Sequence, residues 1–111
     1  MAFHKKEEFG KKEQELAEFA KAISHPARIA ILKVLAQKNE CICGEIVEVL
    51  PLSQSTVSQH LKELKKAGLI KGDIEGPSVC YCINGKAWAK AQKVLKGFFE
   101  EYKDPLAVKK I

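Results

Sequence analysis

The stretch that most constrains the fold is residues 26–37, where Ile29, Ala30, Ile31, Leu32, Val34, Leu35 and Ala36 point in nearly every direction round a helix, broken only by Arg28 and Lys33. A helix that is apolar almost all round has to be covered on all sides, so it predicts a central core helix with the rest of the chain wrapped about it. The 111 residues suffice for one such domain. With 46% hydrophobic residues, the sequence carries enough apolar material to close that core.

The elements on either side follow from spacing and punctuation. Residues 5–23 read as an amphipathic arm, with Phe9, Leu16, Ala20 and Ile23 on one stripe, Phe19 beside it, and Lys and Glu elsewhere. Ser24-His25-Pro26 breaks it, because the residue before a proline avoids the α region while Pro suits a first helical turn. A short element over residues 43–50 is ended by Pro51. Residues 56–67 then read as a helix preceded by Leu52-Ser53-Gln54-Ser55, which supplies polar cap residues, and stopped by Gly68. Val57, Leu61 and Leu64 form its buried stripe, leaving Ser55, Gln59, Lys62 and Lys66 on the solvent side. Residues 69–74 and 79–83 alternate with period two around Glu75-Gly76-Pro77-Ser78 and predict a β-hairpin. Asn84 caps a last helix over residues 85–102, whose wide apolar stripe includes Trp88, Leu95, Phe98, Phe99 and Tyr102. A chain this small cannot easily cover this stripe and that of the first helix, so the two are expected to cover each other in a dimer.

This order gives a mainly α fold with a small β-hairpin: a winged helix-turn-helix of five helices and a two-stranded wing. The organisation expected is a dimerisation helix over residues 1–23, a DNA-binding core over 24–84, a second dimerisation helix over 85–102 and a flexible tail over 103–111. The second helix of such a pair enters the major groove, where short hydrogen-bonding side chains read bases and cations meet phosphates. Ser53 to Gln59, with Lys62, Lys65 and Lys66, supply both. A formal charge of +5 points the same way, toward a polyanionic partner. Three dispersed histidines, with no phosphate-binding glycine loop and no paired carboxylates, exclude an enzyme. The longest apolar runs are far too short to span a membrane, and the charged N-terminus carries no secretory signal. The reducing cytoplasm is therefore the expected compartment. His60 lies at the edge of the buried stripe and is read as a packed, hydrogen-bonded residue, and His25 as part of the start of the second helix.

Ser24-His25-Pro26-Ala27-Arg28-Ile29 and the run from Leu52-Ser53-Gln54 to Ser58-Gln59-His60-Leu61, followed by Leu64 and Ala67-Gly68-Leu69-Ile70, closely resemble the ArsR/SmtB family of metal-responsive repressors. The resemblance covers residues 16–102. It implies a homodimer paired through its first and last helices that binds a palindromic double-stranded DNA operator and leaves it when an inducer binds. It places Ser53, Gln54, Ser55, Thr56, Ser58 and Gln59 at the DNA, with Lys62 and the wing residues Lys71 and Gly76 near phosphates.

Four cysteines stand as Cys41-Ile42-Cys43 and Cys80-Tyr81-Cys82. Residues at i and i+2 are poorly placed to bridge each other, so free thiols or metal ligands are expected. Glu40 to Ile46 resembles the Glu-Leu-Cys-Val-Cys-Asp-Leu-Cys segment of the family's arsenic-sensing branch. This implies that Cys41 and Cys43, at the start of the helix before the recognition helix, bind As(III), Sb(III) or a soft divalent ion such as Cd(II) as inducer, with no cofactor required for DNA binding. The branch's third cysteine is Ile46 here, and residues 1–40 contain none. If Val79, Tyr81 and Ile83 face the core, Cys80 and Cys82 project from the other face beside Lys71 and Asp73, where they form a second dithiol site, complete the first, or are merely small strand residues. The last helix has no histidine, so the zinc site of the zinc-sensing branch is absent. A redox or persulfide sensor would use the same thiols, although the spacing within each pair counts against it. A protein-binding adaptor would show more exposed apolar residues on the recognition helix.

Overall fold

The computed structural model describes residues 8–39, 41–43, 51–73 and 80–105. Their elements are α1 (Lys11–Ala22), α2 (Pro26–Lys38), β1 (Ile42–Cys43), α3 (Gln54–Lys66), β2 (Ile70–Asp73), β3 (Cys80–Ile83) and α4 (Gly85–Phe99). Four helices thus stand among the described residues where five were expected, and the short element expected over residues 43–50 lies, apart from Cys43, outside them. Cys43 itself closes strand β1 rather than opening a helix. None of the described helices is long and apolar enough to cross a membrane.

Local chemistry sets the helix ends. His25 holds extended backbone, and its Nδ1 accepts the Ala27 N–H at 3.0 Å, so it caps α2 as Pro26 opens it. Ser53 caps α3 through its hydroxyl oxygen, which accepts the Thr56 N–H at 3.2 Å. At the other end of α3, Gly68 takes φ +86°. There the Gly68 N–H reaches the Lys65 carbonyl and the Leu69 N–H the Leu64 carbonyl, at 2.9 and 3.1 Å. This double closure satisfies the last carbonyls and turns the chain into β2. Asn84 caps α4 by accepting the Ala87 N–H. The arm α1 begins at Lys11, later than its apolar stripe suggests, and Phe9 stays exposed. Helix α4 ends at Phe99 rather than at residue 102, where Tyr102 is also exposed and no buried contact extends the last turn.

The core gathers Ile31, Leu32 and Leu35 of α2, Val57, Leu61 and Leu64 of α3, and Leu69, Ile70, Ile42 and Tyr81 of the sheet, with Phe19, Ala22 and Ala91 from the arm and last helix. Helix α2 is central, yet Ile29 remains exposed, so covering is incomplete on one side. Helices α1 and α4 pack on each other within the chain, and Lys90 meets Glu15 at 2.6 Å on the outside of that contact. So exposed a pair adds at most about 1 kcal/mol.

The wing has three strands rather than two, in the order β1-β3-β2, all antiparallel. Tyr81 sits opposite Ile42 on one side and Gly72 on the other. Gly72, at φ +122°, lets β2 lie so close to β3 that a Cβ would meet the Cys80 carbonyl and the Tyr81 backbone.

One polar device crosses this core. Arg28 of α2 donates from Nε to Nδ1 of His60 on α3 at 3.2 Å, while its Nη1 reaches the Lys21 and Ala22 carbonyls at the end of α1, at 3.3 and 3.4 Å. His60 is buried, and its ring centroid lies 4.4 Å from that of His25. One guanidinium thereby joins α1, α2 and α3. Accepting at Nδ1 requires neutral imidazole. Burial holds His60 below the usual histidine pKa of 6.5, and the neighbouring His25 and Arg28 push it the same way.

Two predictions follow from the core. Leu64→Ala, at a fully buried position, should cost about 2–5 kcal/mol in urea denaturation. Because the His60 pKa is lower folded than unfolded, its contribution is full above 6.5 and is lost as pH falls toward the folded value. Stability should therefore fall as pH drops below about 6.5, and His60→Gln should flatten that slope; an unchanged slope would remove His60 from the linkage.

Candidate nucleic-acid interface and cysteine cluster

Helix α3 divides cleanly into two faces. Val57, His60, Leu61 and Leu64 are buried, whereas Gln54, Ser55, Gln59, Lys62, Lys65 and Lys66 are exposed and Ser58 is half-buried. The side chains expected at DNA therefore share one outer surface, hydrogen-bonding groups toward the N-terminal end and lysines behind. Ser53 and Thr56 are exposed but tied into the cap, with their hydroxyls 2.8 Å apart and Ser55 Oγ 3.2 Å from Ser53 Oγ. This cap fixes the first turn with the exposed Ser55 hydroxyl held beside Ser53, and Gln59 carries its amide on the exposed side one turn further on. Lys71 is exposed on β2, and Gly76 lies outside the described residues.

His60 points into the core and not toward this surface, in keeping with a packed histidine. Its bond from Arg28 has no signature in local spacing, since the two are 32 residues apart. The available signal was a lone arginine on an otherwise apolar helix, together with a histidine on a buried stripe.

The cysteines occupy the opposite face of the sheet from Ile42 and Tyr81. Cys43 pairs in register with Cys80, and Cys41 stands one step further along opposite Cys82. Both cross-strand pairs are disulfides, Cys41–Cys82 and Cys43–Cys80, with Cα atoms 4.2 and 4.0 Å apart, and neither leaves a free thiol. This corrects the expectation of free thiols. The spacing rightly disfavours a bridge within Cys41-Ile42-Cys43 or Cys80-Tyr81-Cys82, but bridges run between the two motifs, whose proximity only the strand pairing creates. The spacing argument against a redox sensor falls for the same reason. Among the described residues, in this oxidised state, no group of three or more His, Cys, Asp or Glu side chains could hold a metal ion.

Continuing the register across the sheet, Cys82 lies opposite Lys71 and Cys80 opposite Asp73. The Cys41–Cys82 pair borders a cleft of about 480 Å³, shared with Lys71, Leu35, Ile83 and Trp88.

Residues 25–71, from the cap of α2 to the start of the wing, match the family described as "Bacterial regulatory protein, arsR family". An uncharacterized HTH-type transcriptional regulator of Methanocaldococcus jannaschii is 43% identical over 73 residues, covering 65% of this chain and 81% of that protein. The HTH-type transcriptional regulator YgaV of Escherichia coli is 34% identical over 74 residues, 67% of this chain and 75% of its own length. The HTH-type transcriptional repressor SmtB of Mycobacterium tuberculosis is 42% identical over 64 residues, 58% of this chain and 47% of the longer relative. The family match spans the helix that presents the polar, cationic face, and the chain belongs to the ArsR family of DNA-binding transcriptional regulators, which are not enzymes.

Proposed function

We propose that the chain is a homodimeric repressor of the cytoplasm that binds a palindromic operator and is released by a thiophilic ion, As(III), Sb(III) or a soft divalent metal such as Cd(II), bound by the reduced thiols of Cys41 and Cys43. The observation that carries the DNA-binding half is the two-faced α3, with Ser55 and Gln59 projecting from a helix whose other side is locked in the core. The name of the mycobacterial relative, a transcriptional repressor, supports repression. A second copy would cover Trp88, Phe98, Phe99 and Tyr102 of the last helix and the residues after it, together with Phe9 before the arm, all large and exposed in the single chain. Two recognition helices held by that contact would enter successive major grooves about 34 Å apart, with lysines at phosphates.

The inducer half rests on Cys41 and Cys43 sharing the outer face of a strand shortly before α3 in sequence. Soft thiolates select soft ions. Release requires that the ion favour a conformation of lower operator affinity, by about 1–3 kcal/mol of coupling.

A second reading, redox or persulfide control, would use the same thiols, with the two cross-strand disulfides as its oxidised state. In a reducing compartment such bridges are transient and regulatory rather than structural. Comparing operator affinity of oxidised and of reduced, ion-free protein separates the two. Equal affinities, with release only on adding ion, support the metal reading; loss of binding on oxidation alone supports the other.

Ser55→Ala and Gln59→Ala should each weaken operator binding by about 1–3 kcal/mol while leaving nonspecific DNA affinity nearly unchanged, measured by fluorescence anisotropy on operator and scrambled duplexes. An equal loss on both would mean that neither residue reads bases. Under reducing conditions the double variant Cys41→Ser, Cys43→Ser should bind the operator like the parent and no longer be released by As(III), Sb(III) or Cd(II). Retained release would place the inducer elsewhere.

A further inference from the structure

We infer that the four cysteines form, when reduced, one four-thiolate site within a single chain, in which Cys80 and Cys82 of the wing strand are full ligands and the preferred ion is a tetrahedral soft divalent one, Cd(II) or Zn(II). The inference rests on the reading that reduced Cys41 and Cys43 take up a thiophilic ion, and it adds the rest of the coordination shell.

Strand alternation places the four side chains together. Ile42 and Tyr81 are buried and opposed, so their neighbours Cys41, Cys43, Cys80 and Cys82 all leave the sheet on its other face. Across the ladder the partners are already within bonding reach, since each forms a disulfide with the residue opposite. Two thiolates on one zinc ion need only stand about 3.8 Å apart, the tetrahedral separation for a Zn–S distance of about 2.3 Å. Along each strand, i and i+2 positions are about 6.7 Å apart at the backbone, a gap that two cysteine side chains leaning toward each other can close. Rotation about the side-chain bonds can lift two diagonally opposite sulfurs out of the plane of the other two, so that the four, two from each strand, stand at the corners of a tetrahedron about one ion.

The donor count then selects the ion. As(III) takes three thiolates in a pyramid and would leave one of these four unused, whereas Cd(II) and Zn(II) take all four. A divalent ion with four thiolates carries a net charge of −2. Lys71, opposite Cys82, and Asp73, opposite Cys80, nearly cancel, and solvent at the outer face screens what remains. The cleft beside Cys41 and Cys82 supplies a path for the ion.

Loading from the oxidised state is balanced. Two disulfides take four electrons and four protons from four molecules of a small thiol, which leave as two small disulfides. The ion then displaces four thiol protons as four metal–sulfur bonds form. Disulfide and metal forms both tie β1 to β3 through sulfur, and only the reduced, ion-free form leaves the wing joined to β1 by backbone hydrogen bonds and the packing of Ile42 into the core beside Tyr81.

The test is an anaerobic titration of the reduced full chain with cadmium chloride, following thiolate-to-metal charge-transfer absorbance, proton release and ¹¹³Cd NMR. The expected result is one ion per chain, about four protons released per ion at a pH below the ordinary thiol pKa of about 8.5, and a ¹¹³Cd shift in the four-sulfur range. Cys80→Ser with Cys82→Ser should halve the absorbance per ion and weaken binding by more than about 100-fold, beyond the 10–100-fold cost of outer-shell changes. The same variant should still bind operator DNA, which checks its folding. Full affinity and absorbance in that variant, or a two- or three-sulfur ¹¹³Cd shift in the parent, would overturn the four-thiolate site while leaving an ion at Cys41 and Cys43. No uptake of cadmium by the reduced parent would overturn the four-thiolate site, and no uptake of As(III) or Sb(III) either would overturn the reading that Cys41 and Cys43 bind a thiophilic ion.

Discussion

The packing of α3 on α2 is the constraint from which the rest follows. Val57, Leu61 and Leu64 are held against Ile31 and Leu35 by the free energy of burying five aliphatic side chains, of order 1.5–3 kcal/mol each. That seating fixes the rotation of α3 about its axis. Once three positions face inward, Ser55, Gln59, Lys62 and Lys66 have to face outward, since the same 100° step separates all of them. A helix free to roll could not hold a hydrogen-bonding amide against a base edge. The cap at Ser53 and the Gly68 closure fix the two ends, so packing, capping and turn chemistry agree on one presentation of the polar face.

Arg28 adds a polar constraint that apolar packing lacks. Burying Ile31 or Leu35 is satisfied by many small slides of one helix on another, but a guanidinium shared among His60 Nδ1 and two carbonyls of α1 is satisfied by few. The consequence is that the arm and the recognition helix are referred to the same residue. In a dimer paired through the arm, that reference sets how the two recognition helices stand to each other. Protonating His60 would remove its acceptor and bring a second cation to Arg28, which is why burial and neighbouring charge both resist it.

Much of this was legible from sequence because the information is local. The stripe of α3, the cap at Ser53, the stop at Gly68 and the break at Pro26 are each written within four residues of where they act. The exposed polar side of α3 was legible in the same way, as one face of a single helix. What local pattern does not contain is which strand lies beside which. The hairpin of β2 and β3 is announced by its turn, whereas β1, two residues long and 37 residues before its partner, has no periodicity to read. Its pairing is decided by Ile42 finding the pocket beside Tyr81. The disulfides were missed for that reason alone: each thiol's partner lies across a contact that only the assembled core creates. The ends of α1 and α4 were misjudged for the opposite reason, since Phe9 and Tyr102 keep a helical apolar pattern without anything in the chain to bury them.

The same register has a consequence for signalling. Tyr81 is fully buried while its sequence neighbours carry the sulfurs, so any change in how Cys80 and Cys82 are held is felt one residue away by a core side chain. Tyr81 packs in the cluster that includes Leu61 and Leu64 of α3, and β3 continues through Ile83 to the cap of α4 at Asn84, whose N–H bonds to the Leu69 carbonyl at the exit from α3. A chemical event at the outer face of the sheet therefore has two short routes to the recognition helix, through the core and through the backbone at Leu69. Neither requires the helix to unwind. A displacement of β3 would be passed to the packing beneath α3, because densely packed cores pass small displacements on rather than absorb them.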